Sequence, residues 1–363
     1  MKLTNILLVS LAALLAMNSC KKDDVVNGTE GTENDARLNI DMLASKAAGS
    51  DVADTEEQEG EAVVNNVAVV VFNATGTQLL STPFQEKVSS TNNVISILNV
   101  PVQSTVARIV IVANCPDNAF ADVTTYMDMQ SRLAQLANQT INNLTMSSQV
   151  IVTDAALEAG DNYLGFTSQG TENINGISEP LELTRLSARI DLNNVKTTFT
   201  GDMLGTSVRI DEISLENVKT ASHFFSEDYW GVIMAEANLA TTYPVTISGS
   251  KKLISNGSPQ TNLCRVYVME NQDESTPTAL VVKATLVNSS GIEIGEQRRF
   301  TSVINSKGTV LLGDAHKYVK RNYVYRLNVN FTNGSFNDLV GSMDVAVDVV
   351  AWSEVQQQHP VID

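Results

Sequence analysis

The chain has 363 residues, 43% of them apolar, enough for two domains with cores of their own. Its 41 Asp and Glu against 24 Lys and Arg give a net charge of −17 at pH 7, which argues against nucleic acid and anionic lipid as partners, since both attract cations. Three cysteines in this length exclude a disulfide-stapled scaffold.

The chain opens on an export signal. Lys2 is basic, residues 6–17 are almost unbroken apolar, and Asn18-Ser19-Cys20 closes the run. An apolar stretch of about a dozen residues falls short of the roughly twenty that span a bilayer, so residues 1–19 read as a cleaved signal. Residues 20–36 are polar and acidic, a tether. Leu38, Ile40 and Met42 then alternate with Asn39 and Asp41, which predicts a short strand over 37–43 with one buried face. Residues 44–62 carry a dense acidic run and no apolar periodicity. They predict an exposed, protease-accessible loop in which Glu56-Glu57 is a solvated charge run.

From Val63 onward the pattern is β. Val-rich or alternating runs at 67–72, 94–100 and 107–113, bounded by turn residues, predict buried sandwich strands. One helix is expected between 122 and 138, where Tyr126, Met129, Leu133 and Leu136 recur at helical steps behind Thr124 or Thr125 as cap. The Gly- and Asn-rich stretch 165–180 predicts an interdomain link between a first sandwich over 37–178 and a second over 179–363. The second opens with 181–190 as one strand and continues at 208–215, 264–269, 279–287, 323–331 and 343–352. A polar tail, 353–363, follows.

Site chemistry is sparse. His223, His316 and His359 have no ligand at metal spacing and read as solvated surface residues. No nucleophile elbow, phosphate loop or framed carboxylate pair is present, so an enzyme is disfavoured and no metal or cofactor is implied. Cys115 and Cys264 allow one disulfide, but two distant cysteines read better as small buried apolar residues. Tyr229-Trp230 and Trp352 are the aromatics on which a glycan-binding reading would rest, in a chain only 6% aromatic.

Several short motifs, taken in order, carry a resemblance. Cys20 after a small residue resembles the lipobox of bacterial lipoproteins, against the alternative of an ordinary secretory signal with an incidental cysteine. Lys21-Lys22-Asp23-Asp24 resembles the tag that sends Bacteroidetes lipoproteins to the outer face of the outer membrane. The acidic tether, the strand 37–43, Lys46 and the run 67–73 follow. Farther on come Asn162-Tyr163-Leu164-Gly165-Phe166, residues 183–190, residues 320–327 and Val350-Ala351-Trp352. This ordered set resembles the Bacteroidetes fimbrillins, the FimA-like major subunits of type V pili, along the whole chain.

The resemblance implies a mainly β fold of two transthyretin-like β-sandwiches, with one or two short helices in the N-terminal domain. It implies a structural subunit of a cell-surface fimbria that mediates adhesion, without cofactor, exported to the outer membrane as a lipoprotein acylated (palmitate) at Cys20. A trypsin-like surface protease then cuts after a basic residue, here Lys46; Arg37 is the alternative, but a cut there leaves the strand in place. Leu38, Ile40 and Met42 are withdrawn with that strand. The tail 353–363 of a sister subunit fills the groove, with Val355, Val361 and Ile362 as donor side chains and Pro360 limiting its ladder. Implied partners are further copies of the chain, accessory fimbrial subunits and a host or bacterial adhesion ligand. Without the cut, the chain would keep its lipid and act as an anchor or minor subunit. The plainer reading leaves 38–42 as an edge strand and the tail as a frayed end.

Overall fold

The computed structural model describes residues 34–44, 57–88, 94–167, 172–224, 239–247, 252–311, 314–337 and 342–352. Cys20, Lys46, Tyr229-Trp230, His359 and the tail with Val355, Val361 and Ile362 lie outside the described residues. The first half contains β1 (Ala36–Leu43), β2 (Asn66–Asn73), β3 (Phe84–Lys87), β4 (Val94–Val102) and β5 (Ala107–Ala113). Helix α1 (Tyr126–Ser131), β6 (Gly160–Leu164), β7 (Leu181–Glu182) and β8 (Thr184–Arg185) complete it. The second half contains β9 (Ser187–Thr198), β10 (Ser207–Glu216), β11 (Gln260–Met269), β12 (Ala279–Val287), β13 (Arg298–Val303), β14 (Tyr323–Thr332), helix α2 (Asn333–Asn337) and β15 (Asp344–Ala351).

These strands make two β-sandwiches. In the first, one sheet sets β1 between antiparallel β4 and parallel β6 and β7. The other sheet runs β8, Met146–Ser147, β5, β2, β3. In the second sandwich, β11, β9, β14 and β15 form one sheet, and β10, β12 and β13 lie in the other. Leu38, Ile40 and Met42 meet Ile95, Ile97, Val67, Val69, Ile109 and Ile111 in the first core. The alternate residues Ala68, Val70, Val110 and Val112 are buried too, because Phe120, Val123, Tyr126 and Met129 cover the second face of that sheet. A sheet covered on both faces needs continuous rather than alternating apolar runs, which is the pattern of 67–72 and 107–113.

Several expectations need correction. The helix predicted across 122–138 stops at Ser131. It starts on a capping box: Thr125 Oγ1 accepts from Asp128 N at 3.1 Å, and Asp128 Oδ2 accepts from Thr125 N at 2.9 Å. The Thr124 hydroxyl adds the largest share of the pull that lowers the Asp128 carboxyl to about 2. Arg132 is then extended, and Leu133–Gln135 pairs antiparallel with Ala221–His223. A ladder with a distant strand here overrides local periodicity, while Tyr126, Met129 and Leu136 stay buried as the stripe requires. The other helix, α2, belongs to the second sandwich, not the first.

The run 181–190 is not one strand. It breaks at Leu183 and Leu186 and visits three sheets: β7 pairs with β1, β8 with Met146–Ser147, and β9 enters the second sandwich. The change of sandwich therefore comes at Leu186, not at 178, and 165–180 is no link. Its described parts, 165–167 and 172–180, fold back on the first sandwich, where Gly165 N donates to Ile177 O at 2.9 Å and Asn173 exchanges hydrogen bonds with the Phe166 backbone. Gly165 has φ +83°, and a Cβ there would stand 2.6 Å from Asp41 O on β1. Gly165→Ala is expected to destabilise the chain by roughly 1–3 kcal/mol, read as a lowered thermal midpoint.

The described histidines are not solvated. His316 is buried, with Nε2 3.0 Å from Tyr325 Oη and its ring 4.4 Å from that of Tyr323. His223 is half-buried and its Nδ1 donates to Gln130 O at 2.7 Å. Both described cysteines are free thiols. Burial pushes Cys115 up to about 12 and half-buried Cys264 up to about 11, so neither is a reactive thiolate.

Candidate functional site

The first candidate site is the seat of β1. Ala36, Leu38, Ile40 and Met42 are all 0% exposed. β1 is bonded along both edges, so it is an interior strand rather than the edge strand of the plainer reading. On one side it pairs with β4 from Ala36↔Val102 to Leu43↔Val94. On the other it pairs with β6 from Ala36↔Gly160 to Ile40↔Leu164, then with β7 at Met42↔Leu181 and Leu43↔Glu182. The ladder is extended by Gly160 N to Asp35 O and Leu183 N to Leu43 O, both 2.9 Å. A bulge between Leu38 and Ile40 is pinned by Asn99 N donating to Asn39 Oδ1 at 3.1 Å, with Asn99 at φ 59°. Asp41 faces outward and accepts from Ser96 Oγ, while partial burial raises its carboxyl above the ordinary range.

This arrangement makes β1 a plug. Without it, two rows of backbone N–H and C=O groups would lie open beside a trough lined by β2, β4 and β5. Each apolar side chain withdrawn contributes about 1.5–3 kcal/mol of burial. Ile40→Ala is expected to cost the uncut chain about 2–5 kcal/mol in denaturant unfolding, because the cavity it leaves is enclosed on all sides.

A second constellation lies where the sandwiches join, and the sequence reading missed it. Glu61, placed in an exposed acidic loop, is 0% exposed. Its carboxylate accepts from Arg189 Nη1 at 3.0 and 2.8 Å, Tyr267 Oη at 2.8 Å, Trp352 Nε1 at 3.0 Å and Gln58 N at 2.8 Å. Glu57, expected to be solvated, pairs with fully buried Arg185, whose Nε also donates to Glu61 O at 3.2 Å. Arg189 reaches Asp191 at 3.1 Å, and Asp191 reaches Arg265 at 3.0 Å. The three acids and three arginines balance in charge, as buried ions must. Tyr267 Oη shares this burial, and its pKa is raised. The missed signal was Arg185 and Arg189 inside an apolar strand pattern: such residues are almost never buried unpaired.

Trp352 is 0% exposed, stacked on Tyr267 at 5.8 Å. It is therefore no surface platform for a glycan. Among the described residues no group of His, Cys, Asp and Glu is placed to hold a metal ion.

Comparison with known proteins agrees with the break at Leu186. Residues 36–185 match the family model of the major fimbrial subunit protein FimA, and residues 186–352 that of the C-terminal domain of the fimbrium tip subunit Fim1C-like proteins. A relative from Parabacteroides distasonis named "Putative fimbrium tip subunit Fim1C" is 42% identical over 380 residues, covering 99% of both chains. The "Major fimbrium subunit FimA type-3" of Porphyromonas gingivalis is 24% identical over 93% of this chain and 85% of its own. A crystal structure of a "putative cell adhesion protein" from Parabacteroides distasonis superposes with TM-score 0.78 at 38% identity, covering 90% of this chain and all of that one. A fimbrilin from Porphyromonas gingivalis shares the fold, with TM-score 0.59 at 17% identity over 90% of this chain and all of its own. With its whole length matched by a fimbrium subunit and each sandwich by a fimbrial family model, the chain belongs to the FimA-like family of fimbrial subunits.

Proposed function

We propose that this fimbrial subunit is of the tip class, exported as a lipoprotein acylated at Cys20, cut after Lys46, and joined to its neighbour by strand exchange. The observation that carries the joining step is the interior place of β1: a plug bonded on both edges, with four fully buried side chains, directly before the segment that holds Lys46. Lys46 is the one basic residue between Arg37 and Lys87. A cut there separates β1, and the lipid with it, from the rest of the chain. A cut after Arg37, itself within β1, would leave residues 38–43 seated. An extended segment from another subunit then restores both ladders and the buried face. The tail 353–363, with Val355, Val361 and Ile362, is the donor this chain would offer, and the outer membrane is the site of the lipidated precursor.

The tip class rests on the Fim1C-like match of residues 186–352 and on the relative of the same name. The motifs alone place the chain in the family and leave its position in the fibre open. Immunogold electron microscopy of native fimbriae tests the tip class: label confined to fibre ends is expected, and label along the shaft would place the chain in the major-subunit class. Amino-terminal sequencing of the assembled form tests the cut; a start at Ala47 is expected, and a start at Cys20 would make the chain a lipid-held anchor.

A further inference from the structure

We propose that Glu61 is a positioning residue that holds the two sandwiches and the end of β15 in one arrangement after β1 has left. The inference rests on the reading of β1 as removable. The donors that satisfy the Glu61 carboxylate come from Gln58, from Arg189 of β9, from Tyr267 of β11 and from Trp352 at the end of β15. None belongs to β1. The Trp352 ring is gripped further by the guanidiniums of Arg185 and Arg189, 4.9 and 5.3 Å from its centre.

Trp352 also belongs to the same buried cluster as Leu38, Ile40 and Met42. Loss of β1 therefore strips apolar neighbours from the cluster that seats Trp352, yet removes no donor from Glu61. Apolar contact is non-directional, whereas a buried carboxylate shared among an arginine, a phenol and an indole accepts only one geometry. Once the plug is out, this clasp decides how the open groove of the first sandwich is set relative to the last strand of the second. Those are the acceptor and donor sides of a joining subunit, so Glu61 governs the angle between successive joints.

The test reads the indole N–H of Trp352 by NMR hydrogen exchange, using the full chain with Trp230→Phe so that one of the two indoles remains. In the uncut chain, Glu61→Gln is expected to speed indole exchange about tenfold, and Tyr267→Phe, which removes one donor, about threefold, with the β12 amides unchanged. After treatment with a trypsin-like protease and loss of β1 confirmed by mass, the unsubstituted clasp is expected to exchange within about twofold of its uncut rate, whereas Glu61→Gln rises about a further tenfold. Equal indole exchange with and without Glu61→Gln overturns the proposal. So does an indole that opens in the trimmed chain despite Glu61, or β12 amides that speed up in step with it. If the mass shows β1 retained after the cut, the removable-strand reading falls instead, and the comparison in the uncut chain alone decides the clasp.

Discussion

Lys46→Gln is expected to leave the chain uncut between β1 and Glu57 and to reduce its incorporation into fibres to background, while Lys46→Arg restores both. A trypsin-like protease needs a cationic side chain before the bond it cuts, and no other Lys or Arg occurs between Arg37 and Lys87. The effect is large because covalent connection is what keeps β1 in its seat. While joined, β1 competes with any incoming strand as an intramolecular partner at very high effective concentration. Once cut, it becomes a separate peptide, and a strand from another subunit competes with it on equal terms. β1 fills four buried positions and two ladders, and an incoming strand must offer comparable burial and bonding to displace it. Ile40→Ala should therefore weaken the uncut chain and yet ease strand loss after the cut. Amino-terminal sequencing and immunogold microscopy read the outcome; Lys46→Gln protein that enters fibres at the unsubstituted yield would end the proposal that cleavage at this residue precedes joining.

What the sequence made legible was local. Residues 67–72, 107–113 and 279–287 are β-branched runs between turn residues, and each is a strand within a residue or so of its expected bounds. The alternation of Leu38, Ile40 and Met42 correctly marks one buried face. It carries no information about what pairs with either edge, so the interior place of β1 was hidden: its partners β4, β6 and β7 come from three distant parts of the chain. Glu61 was misplaced for a related reason. Its neighbours in sequence are acidic and suggest solvent, whereas its partners Arg189, Tyr267 and Trp352 lie far along the chain. Periodicity is continuous through Leu183 and Leu186 and so predicts one strand over 181–190, although the sheet to which the chain belongs changes at both.

Arg321→Ala is expected to cost about 3–5 kcal/mol and to lower the thermal midpoint by roughly 10 °C. Arg321 and Glu270 are both 0% exposed and meet at 3.1 Å. The guanidinium also donates to Ser222 Oγ at 2.8 Å, His223 O at 2.9 Å and Phe224 O at 3.2 Å. Phe224 O accepts from Ser147 Oγ of the first sandwich at 2.8 Å, and its ring packs edge-on against Phe120 at 5.2 Å. One arginine thus joins strand ends of the second sandwich to a backbone point shared with the first. Truncating it takes the guanidinium from a buried carboxylate and its donors from the Ser222 hydroxyl and the His223 carbonyl, while Phe224 O keeps Ser147 Oγ, and that desolvation accounts for most of the expected loss. Arg321→Lys keeps the charge but supplies a single point of contact, so it should recover only part of the stability. Glu270→Gln combined with Arg321→Ala removes the uncompensated charge and should be less destabilising than the sum of the two single changes, a coupling that a double-mutant cycle in urea measures. Additive losses would mean that each side chain acts alone. The join at Phe224 would then owe its strength to the Phe120 contact and the ladder between Leu133–Gln135 and Ala221–His223, not to the buried ion pair.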